Sequence, residues 1–118
     1  MSLNVAVVRG SCSSAPEVRT LDSGRVLAVL QVTTKPDADA PAVSVPVVVW
    51  NPPAWVERIE AGDEIVALGR VRRRFYRAAG GAAAKTELEA SVVAKGTDRR
   101  RVTAVLRRAY DALEALAE

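Results

Sequence analysis

Gly69-Arg-Val-Arg-Arg-Arg-Phe-Tyr-Arg77 is the stretch on which the reading of this sequence turns. In an extended strand successive side chains point to opposite faces. Arg70, Arg72, Arg74 and Tyr76 then share one face, and Val71 and Phe75 share the other, where they are expected to anchor the strand to a core. Arg73 alternates to that inner side, where a full charge is costly unless it reaches an edge or a carboxylate. A row of guanidinium groups ending in an aromatic ring suits a phosphate backbone and a stacked base. The plain alternative is a solvated strand face, and the near absence of acids between 65 and 77 favours binding.

Working outward, Asp63 to Arg77 reads as one strand and Lys85 to Lys95 as its return, with Leu88, Ala90 and Val92 alternating. Ala78-Ala-Gly-Gly-Ala-Ala-Ala84 between them reads as a flexible hairpin loop. Upstream, Val43 to Trp50 is β-branched and apolar on both faces, so it is expected to be central or covered. Asn51-Pro52-Pro53 stops it and starts a short helix, with Asn51 as N-cap and Pro52 at the first position. Trp55 and Ile59 share the buried face of that helix, and Gly62 is expected to close it. Asn4 to Gly10 is a first strand. Glu17 to Leu21, the Asp22-Ser23-Gly24 turn and Arg25 to Thr33 make a hairpin. Lys35-Pro-Asp-Ala-Asp-Ala-Pro41 is a loop.

The coarse order is β–β–β–α–β–β, which predicts an all-β, five-stranded OB-fold barrel with a short helix between strands 3 and 4. Residues 1–97 form that domain. Residues 98–118 differ, because Val102, Val105, Leu106, Ala109, Leu113 and Leu116 recur at helical spacing. This amphipathic C-terminal helix has Arg99, Arg100 and Arg101 at its start and Glu114 and Glu118 near its end, both opposing the helix dipole. Packing of its apolar stripe on the barrel or another subunit is expected to hold it.

The chain has 118 residues, enough for one domain, and its hydrophobic content of 49% excludes wholesale disorder. No apolar run reaches the roughly 20 residues of a membrane span. The start, Met1-Ser2-Leu3-Asn4, lacks the pattern of a secretory signal. A soluble, cytoplasmic protein is expected, nucleoid-associated and with no membrane partner. Net charge is +3, but arginine clusters at 70–77 and 99–108, a distribution typical of nucleic-acid binders. There is no histidine, and Cys12 is the single cysteine. The commonest general base, the usual zinc ligand, an internal disulfide and a multi-cysteine metal site are thereby excluded. No catalytic residue, cofactor or metal is expected, and the chain is not read as an enzyme.

Several segments together resemble the bacterial single-stranded DNA-binding protein family, SSB, over about Asn4 to Gly96. They are Asn4-Val-Ala-Val-Val-Arg-Gly10, Ala15-Pro-Glu-Val-Arg19 before a Ser23-Gly24 turn, Val26-Leu-Ala-Val-Leu-Gln-Val-Thr-Thr34, Val47-Val-Val-Trp50 and Gly62-Asp-Glu-Ile-Val-Ala-Leu-Gly69. The resemblance implies an OB fold that oligomerises, with a tetramer favoured over a dimer, and wraps single-stranded DNA without strong sequence preference in replication, recombination or repair. By position, Trp50 and Tyr76 match aromatics that stack on bases, and Arg72 and Arg74 match basic residues beside them. Two further family aromatics, near Lys35–Asp37 and near Ser44, have no counterpart here. The family's acidic, Phe-terminated tip has none either, since the sequence ends Ala115-Leu-Ala-Glu118, so tip-mediated recruitment of replication proteins is not expected. The resemblance is to a divergent or accessory member, in which arginines carry more of the binding than stacking does.

The expected nucleic-acid site is therefore Arg70, Arg72, Arg74, Tyr76 and Trp50, with Lys35 and Lys85 flanking loops where they can grip phosphates or simply solvate the surface. Trp50, ending a run of valines, reads either as a stacking platform or as core. Trp55 reads as structural. The arginines of 99–108 either extend the DNA path or solvate the helix. Two other functions fit the same sequence: an oligomerisation or protein-interaction module, including mixed assembly with an SSB paralogue, and a single-stranded RNA binder.

Overall fold

The structure, a computed structural model, describes residues 2–117. Six strands run β1 (Ala6–Cys12), β2 (Glu17–Thr20), β3 (Val26–Thr34), β4 (Val43–Trp50), β5 (Glu64–Ala78) and β6 (Gly81–Lys95). Two helices, α1 (Ala54–Glu57) and α2 (Arg99–Ala117), follow β4 and β6. The sheet order is β1-β5-β6-β4-β3-β2, and β1 also pairs with β3 through Ser11↔Thr33 and Cys12↔Val32. Five strands thus close into a ring, and β2 is a sixth that pairs with β3 alone. The expected count of five falls one short, because the short arm of the first hairpin forms a strand of its own, β2. The mostly-β architecture, the helix after the valine-rich strand and the C-terminal helix are as expected.

Alternation explains the ring's interior. Ala28, Leu30 and Val32 of β3, Val47 and Val49 of β4, Ile65 and Ala67 of β5, and Leu88 of β6 point inward and are buried. Val56 and Ile59 join the same cluster from α1 and the turn after it, while Trp55 is only half-buried against it. Gly10 lies where the ring closes: a Cβ there would sit 2.2 Å from the Thr33 carbonyl oxygen, so only glycine permits the approach of β1 to β3. As expected, β4 is central, between β3 and β6.

The helix boundaries differ from those expected. Asn51 adopts a left-handed φ of 49°, the N-cap is Pro53, and α1 is a single turn. Its early end leaves Gly62 no capping role; the Gly62 N–H donates to the Cys12 carbonyl at 2.8 Å and ties the turn to β1.

On the outside of the ring, Val102, Val105 and Ala109 of α2 pack on Val66, Leu68 and Ala94, a second core. Asp98 offsets the arginines that crowd the start of α2, its Oδ1 accepting the Arg101 N–H at 3.2 Å. Leu106, Leu113 and Leu116, expected on the buried face, are exposed, and Tyr110 joins them. The apolar positions span more of the helix circumference than the narrow ridge of the sheet covers. Glu118, the last residue of the expected helix, lies outside the described residues.

The β5–β6 hairpin has two parts. From Ile65↔Lys95 to Leu68↔Val92 it belongs to the ring; a register shift at Leu68/Gly69 follows, with Ser91 as the extra residue. Beyond it, pairing runs from Gly69↔Ala90 to Ala78↔Gly81. The expected Ala78–Ala84 loop is therefore mostly strand, and only Ala79 and Gly80 turn the chain, before Gly81 at φ 117°. This outer part is an arm that extends past the ring. Val71 and Phe75, expected to anchor the strand, are 50% and 72% exposed. Their alternation is as predicted, but the inner face they occupy has run beyond the core. What fixes the root of the arm is Asn4, whose side chain both donates to the Val71 carbonyl (2.8 Å) and accepts the Val71 N–H (2.9 Å).

Candidate nucleic-acid interface

On its other face the arm carries Arg70, Arg72 and Arg74, and this face continues the outer surface of β3 and β4. Between the arm and β2 lies a cleft of about 180 Å³. Its floor is apolar, made by Leu27, Val29 and Val48, with Trp50 beside them; Arg72 and Arg74 stand on one side and Arg19 on the other. These residues meet because β2 lies at one end of the sheet order and the arm is an outgrowth of the ring on the far side of β4.

The arginine row is not bare. In the hairpin register Arg70, Arg72 and Arg74 stand opposite Glu89, Glu87 and Lys85. Arg70 and Arg72 both bond Glu89, at 2.8 and 2.5 Å, and Arg74 bonds Glu87 at 3.2 Å. The Glu87 side chain is 4% exposed, so a burial that would be costly for a lone carboxylate is compensated by that ion pair. The Glu89 carboxyl is held below its ordinary range, chiefly by the hydrogen bond from Arg72, with further bonds from Arg70 and Trp50. Even so, residues 69–89 hold six basic side chains against two carboxylates, a formal +4 that exceeds the +3 of the whole chain. The arm is one of two cationic regions, the other being residues 99–108 with five arginines and no carboxylate.

Trp50 is half-buried at the end of β4, between the two readings the sequence left open. Its indole N–H donates to Glu89 at 3.4 Å, and the Arg25 guanidinium lies 4.1 Å from its ring centroid. Tyr76 is 42% exposed near the tip, with Arg74 5.6 Å from its ring centroid. Arg73, on the opposite face, meets no carboxylate among the described residues and lies 5.4 Å from the exposed Phe75 ring. Lys85 is half-buried on β6 and, after Arg19, helps to lower the Glu17 carboxyl across the cleft. Lys35 is exposed in the loop from β3 to β4. Because β4 and β6 run parallel, that loop and the arm project from the same end of the ring.

Arg70, Arg72, Arg74 and Trp50 are thus brought to one carboxylate-laced surface, with Lys85 opposite Arg74, Tyr76 farther along the arm, and Lys35 in a loop at the same end of the ring. The sequence reading missed Arg19, Arg25, Glu87 and Glu89. A signal for the last two was present: Lys85, Glu87 and Glu89 alternate on the return strand just as the arginines do on the outgoing one. Placing the turn at Ala79-Gly80 would have paired them. No group of three or more His, Cys, Asp or Glu among the described residues could hold a metal ion, and no helix there is long and apolar enough to cross a membrane. Compared with known proteins, the chain matches no protein-family model and no curated protein.

Proposed function

We propose that this chain is an OB-like protein that binds single-stranded DNA without sequence preference, in replication, recombination or repair. The observation that carries the reading is the cleft between β2 and the arm, where Arg19, Arg72 and Arg74 stand over an apolar floor ending at Trp50. Such a groove can hold phosphates on its walls and bases against its floor. The closed five-strand ring with a helix between β4 and β5 supports the OB-like reading, and with it the resemblance to the SSB family. Titrating oligo-dT against tryptophan fluorescence at several salt concentrations tests the proposal. Binding is expected to quench Trp50 and to weaken with a log–log slope of about −0.7 per phosphate neutralised. An absent or salt-independent response overturns it. Competition between dT and rU oligomers decides between DNA and RNA, since the cleft carries no dedicated contact for a 2′-hydroxyl.

A second property, self-assembly, is favoured by the far face of α2. Leu106, Tyr110 and Leu113 are 45%, 67% and 47% exposed there, at helical spacing. The occupant argued for is a second copy packed antiparallel. That arrangement sets the basic half of one helix, including Arg107, beside the acidic half of the other, including Glu114, and opposes the two helix dipoles. It makes a dimer; a tetramer needs a further contact. Sedimentation of the full chain beside a Tyr110→Ser, Leu113→Ser variant tests it, the variant being expected to fall to the mass of one chain. A wild type that is already monomeric at micromolar concentration overturns it.

A further inference from the structure

The outer face of the sheet does not end at Trp50. Past that ring, on the side away from β2, a trough runs between the sheet and α2 as three adjoining clefts. The first, of about 490 Å³, lies at the root of the arm and is bordered by Trp50, Arg70 and Arg108. The second, of about 280 Å³, lies between Trp50, Trp55 and Arg101. The third, of about 210 Å³, lies under α2 between Arg101 and Arg108. Trp50 borders the first two as well as the cleft at β2, Arg101 borders the last two, and Arg108 the first and third. The openings therefore form one continuous surface on which Trp50 is the junction.

The chemistry of this trough repeats that of the cleft. Two half-buried tryptophans alternate with cations, Arg25 lying over Trp50 and Lys95 5.8 Å from the Trp55 ring centroid. Glu89 is the single carboxylate on its walls, and it already holds both Arg70 and Arg72. Arg108 makes no ion pair among the described residues. Helical spacing places Arg101 and Arg108, seven residues apart, on one side of α2, and places Arg100 and Arg107 on another. Arg107 accordingly lies with Leu106 and Tyr110, away from the sheet.

We propose that the trough between α2 and the sheet carries a second length of single-stranded nucleic acid, continuous with the first through Trp50, with Arg101 and Arg108 contacting its phosphates. This rests on the single-stranded DNA reading above and adds to it a path, a direction and a role for one side of the C-terminal helix. The two tryptophans, assigned different roles by the sequence, become successive platforms on that path.

Two double variants of equal charge test it: Arg101→Ala with Arg108→Ala, and Arg58→Ala with Arg99→Ala, the latter pair lining none of the clefts. All four side chains are exposed, so both variants are expected to keep the wild-type thermal midpoint. Each is titrated with oligo-dT of about 6 and about 16 nucleotides, spanning the range of roughly 4–16 that one OB domain occupies. The Arg101/Arg108 variant is expected to bind the short oligomer as wild type does. On the long one it is expected to lose affinity several-fold, with a salt slope smaller by about 1.4, two phosphates at 0.7 each. The Arg58/Arg99 variant is expected to match wild type on both. Equal losses in the two variants would mean that only overall charge matters and overturn the path, as would no loss in either, which leaves the trough to another ligand such as a peptide. Wild type failing with the short oligomer refutes the single-stranded DNA reading itself, and the path falls with it.

Discussion

Arg72 and Trp50 donate to the same oxygen, Oε2 of Glu89, so a cation of the cleft and its aromatic are held by one acceptor. Arg70 takes the other oxygen of that carboxylate. A phosphate that approaches Arg72 must therefore compete with Glu89, and the carboxylate both organises the surface and masks it. Replacing Glu89 by Gln keeps an acceptor for the indole and frees two guanidinium groups. Arg70 and Arg72 are 63% and 40% exposed while Glu89 is 17% exposed, so the competing pairs are partly screened by solvent on the arginine side. Each such pair is worth about 0.2–1 kcal/mol, so oligo-dT affinity is expected to rise by less than about tenfold per pair, with a steeper salt dependence. Titration of Glu89→Gln beside wild type measures this, and weaker binding by the variant would mean that Glu89 contributes to the site rather than masking it.

The same carboxylate gives an acid-stability signature. Arg72, Arg70 and Trp50 hold the folded Glu89 below its ordinary 4.5. A carboxyl lowered on folding stabilises the native state above its unfolded value, and that contribution disappears as pH falls through the folded one. Urea midpoints of wild type are expected to be flat from pH 7 to about 5 and to fall in more acid solution. Glu89→Gln is expected to be less stable at pH 7 and to lose less on acidification. Parallel pH profiles for the two proteins would remove Glu89 as a contributor.

Phe75 reads in the sequence as a core anchor, whereas in the structure it is exposed on the arm. Phe75→Ser is therefore expected to shift stability by no more than about 0.5 kcal/mol, as surface substitutions do. A core phenylalanine would cost about 3–5 kcal/mol on truncation. Urea denaturation separates the two outcomes without ambiguity.

Phe75 also shows where the sequence stops being informative. Period-2 alternation places Arg70, Arg72 and Arg74 on one face and Val71 and Phe75 on the other, and the structure agrees. What alternation does not contain is where the core ends, because that depends on how far β1 and β4 run beside β5 and β6. Local signals worked where they were strong: the β4 run from Val43 to Trp50 has the expected bounds, and Pro52-Pro53 ends it. The masking of the arginines was hidden because it depends on a hairpin register set by two small residues, Ala79 and Gly80. Arg19 and Arg25 were hidden for another reason. They reach the site through the pairing of β3 with β4, which sets Leu27 between Arg19 and Trp50, a register across the Lys35–Pro41 loop that no local pattern encodes.

Cys12 lies inside the ring at 1% exposure, where burial first and the nearby Asp63 second push its thiol up. Both effects disfavour the thiolate that reacts with disulfide reagents. In native protein at neutral pH, Cys12 is expected to resist labelling on the timescale of minutes and to react at once in denaturant. Labelling rates across a urea series should then follow the unfolded fraction seen by circular dichroism. Rapid labelling in native buffer would place Cys12 outside the core.

Gly10 and Gly69 separate the integrity of the ring from the aim of the arm. A Cβ on Gly10 would meet the Thr33 carbonyl oxygen at 2.2 Å, and one on Gly69 would meet the Glu89 carbonyl oxygen at 2.0 Å and Ala90 Cα at 2.8 Å. In both cases the obstacle is backbone, so strands must move apart, and each alanine is expected to cost on the order of 1–3 kcal/mol, as overpacking does. Their effects on binding should differ. Gly10→Ala loosens the β1–β3 closure beside Ile65, at the end of β5 away from the arm, and the folded fraction is expected to bind oligo-dT as wild type does. Gly69→Ala acts at the register shift where the arm leaves the ring, one residue from Arg70. Moving that junction displaces Arg70, Arg72 and Arg74 relative to Trp50, so affinity is expected to fall under conditions where circular dichroism shows the protein folded. Measured together, the two variants should show similar stability losses and dissimilar binding. Equal binding losses would mean that the arm has no independent part in recognition.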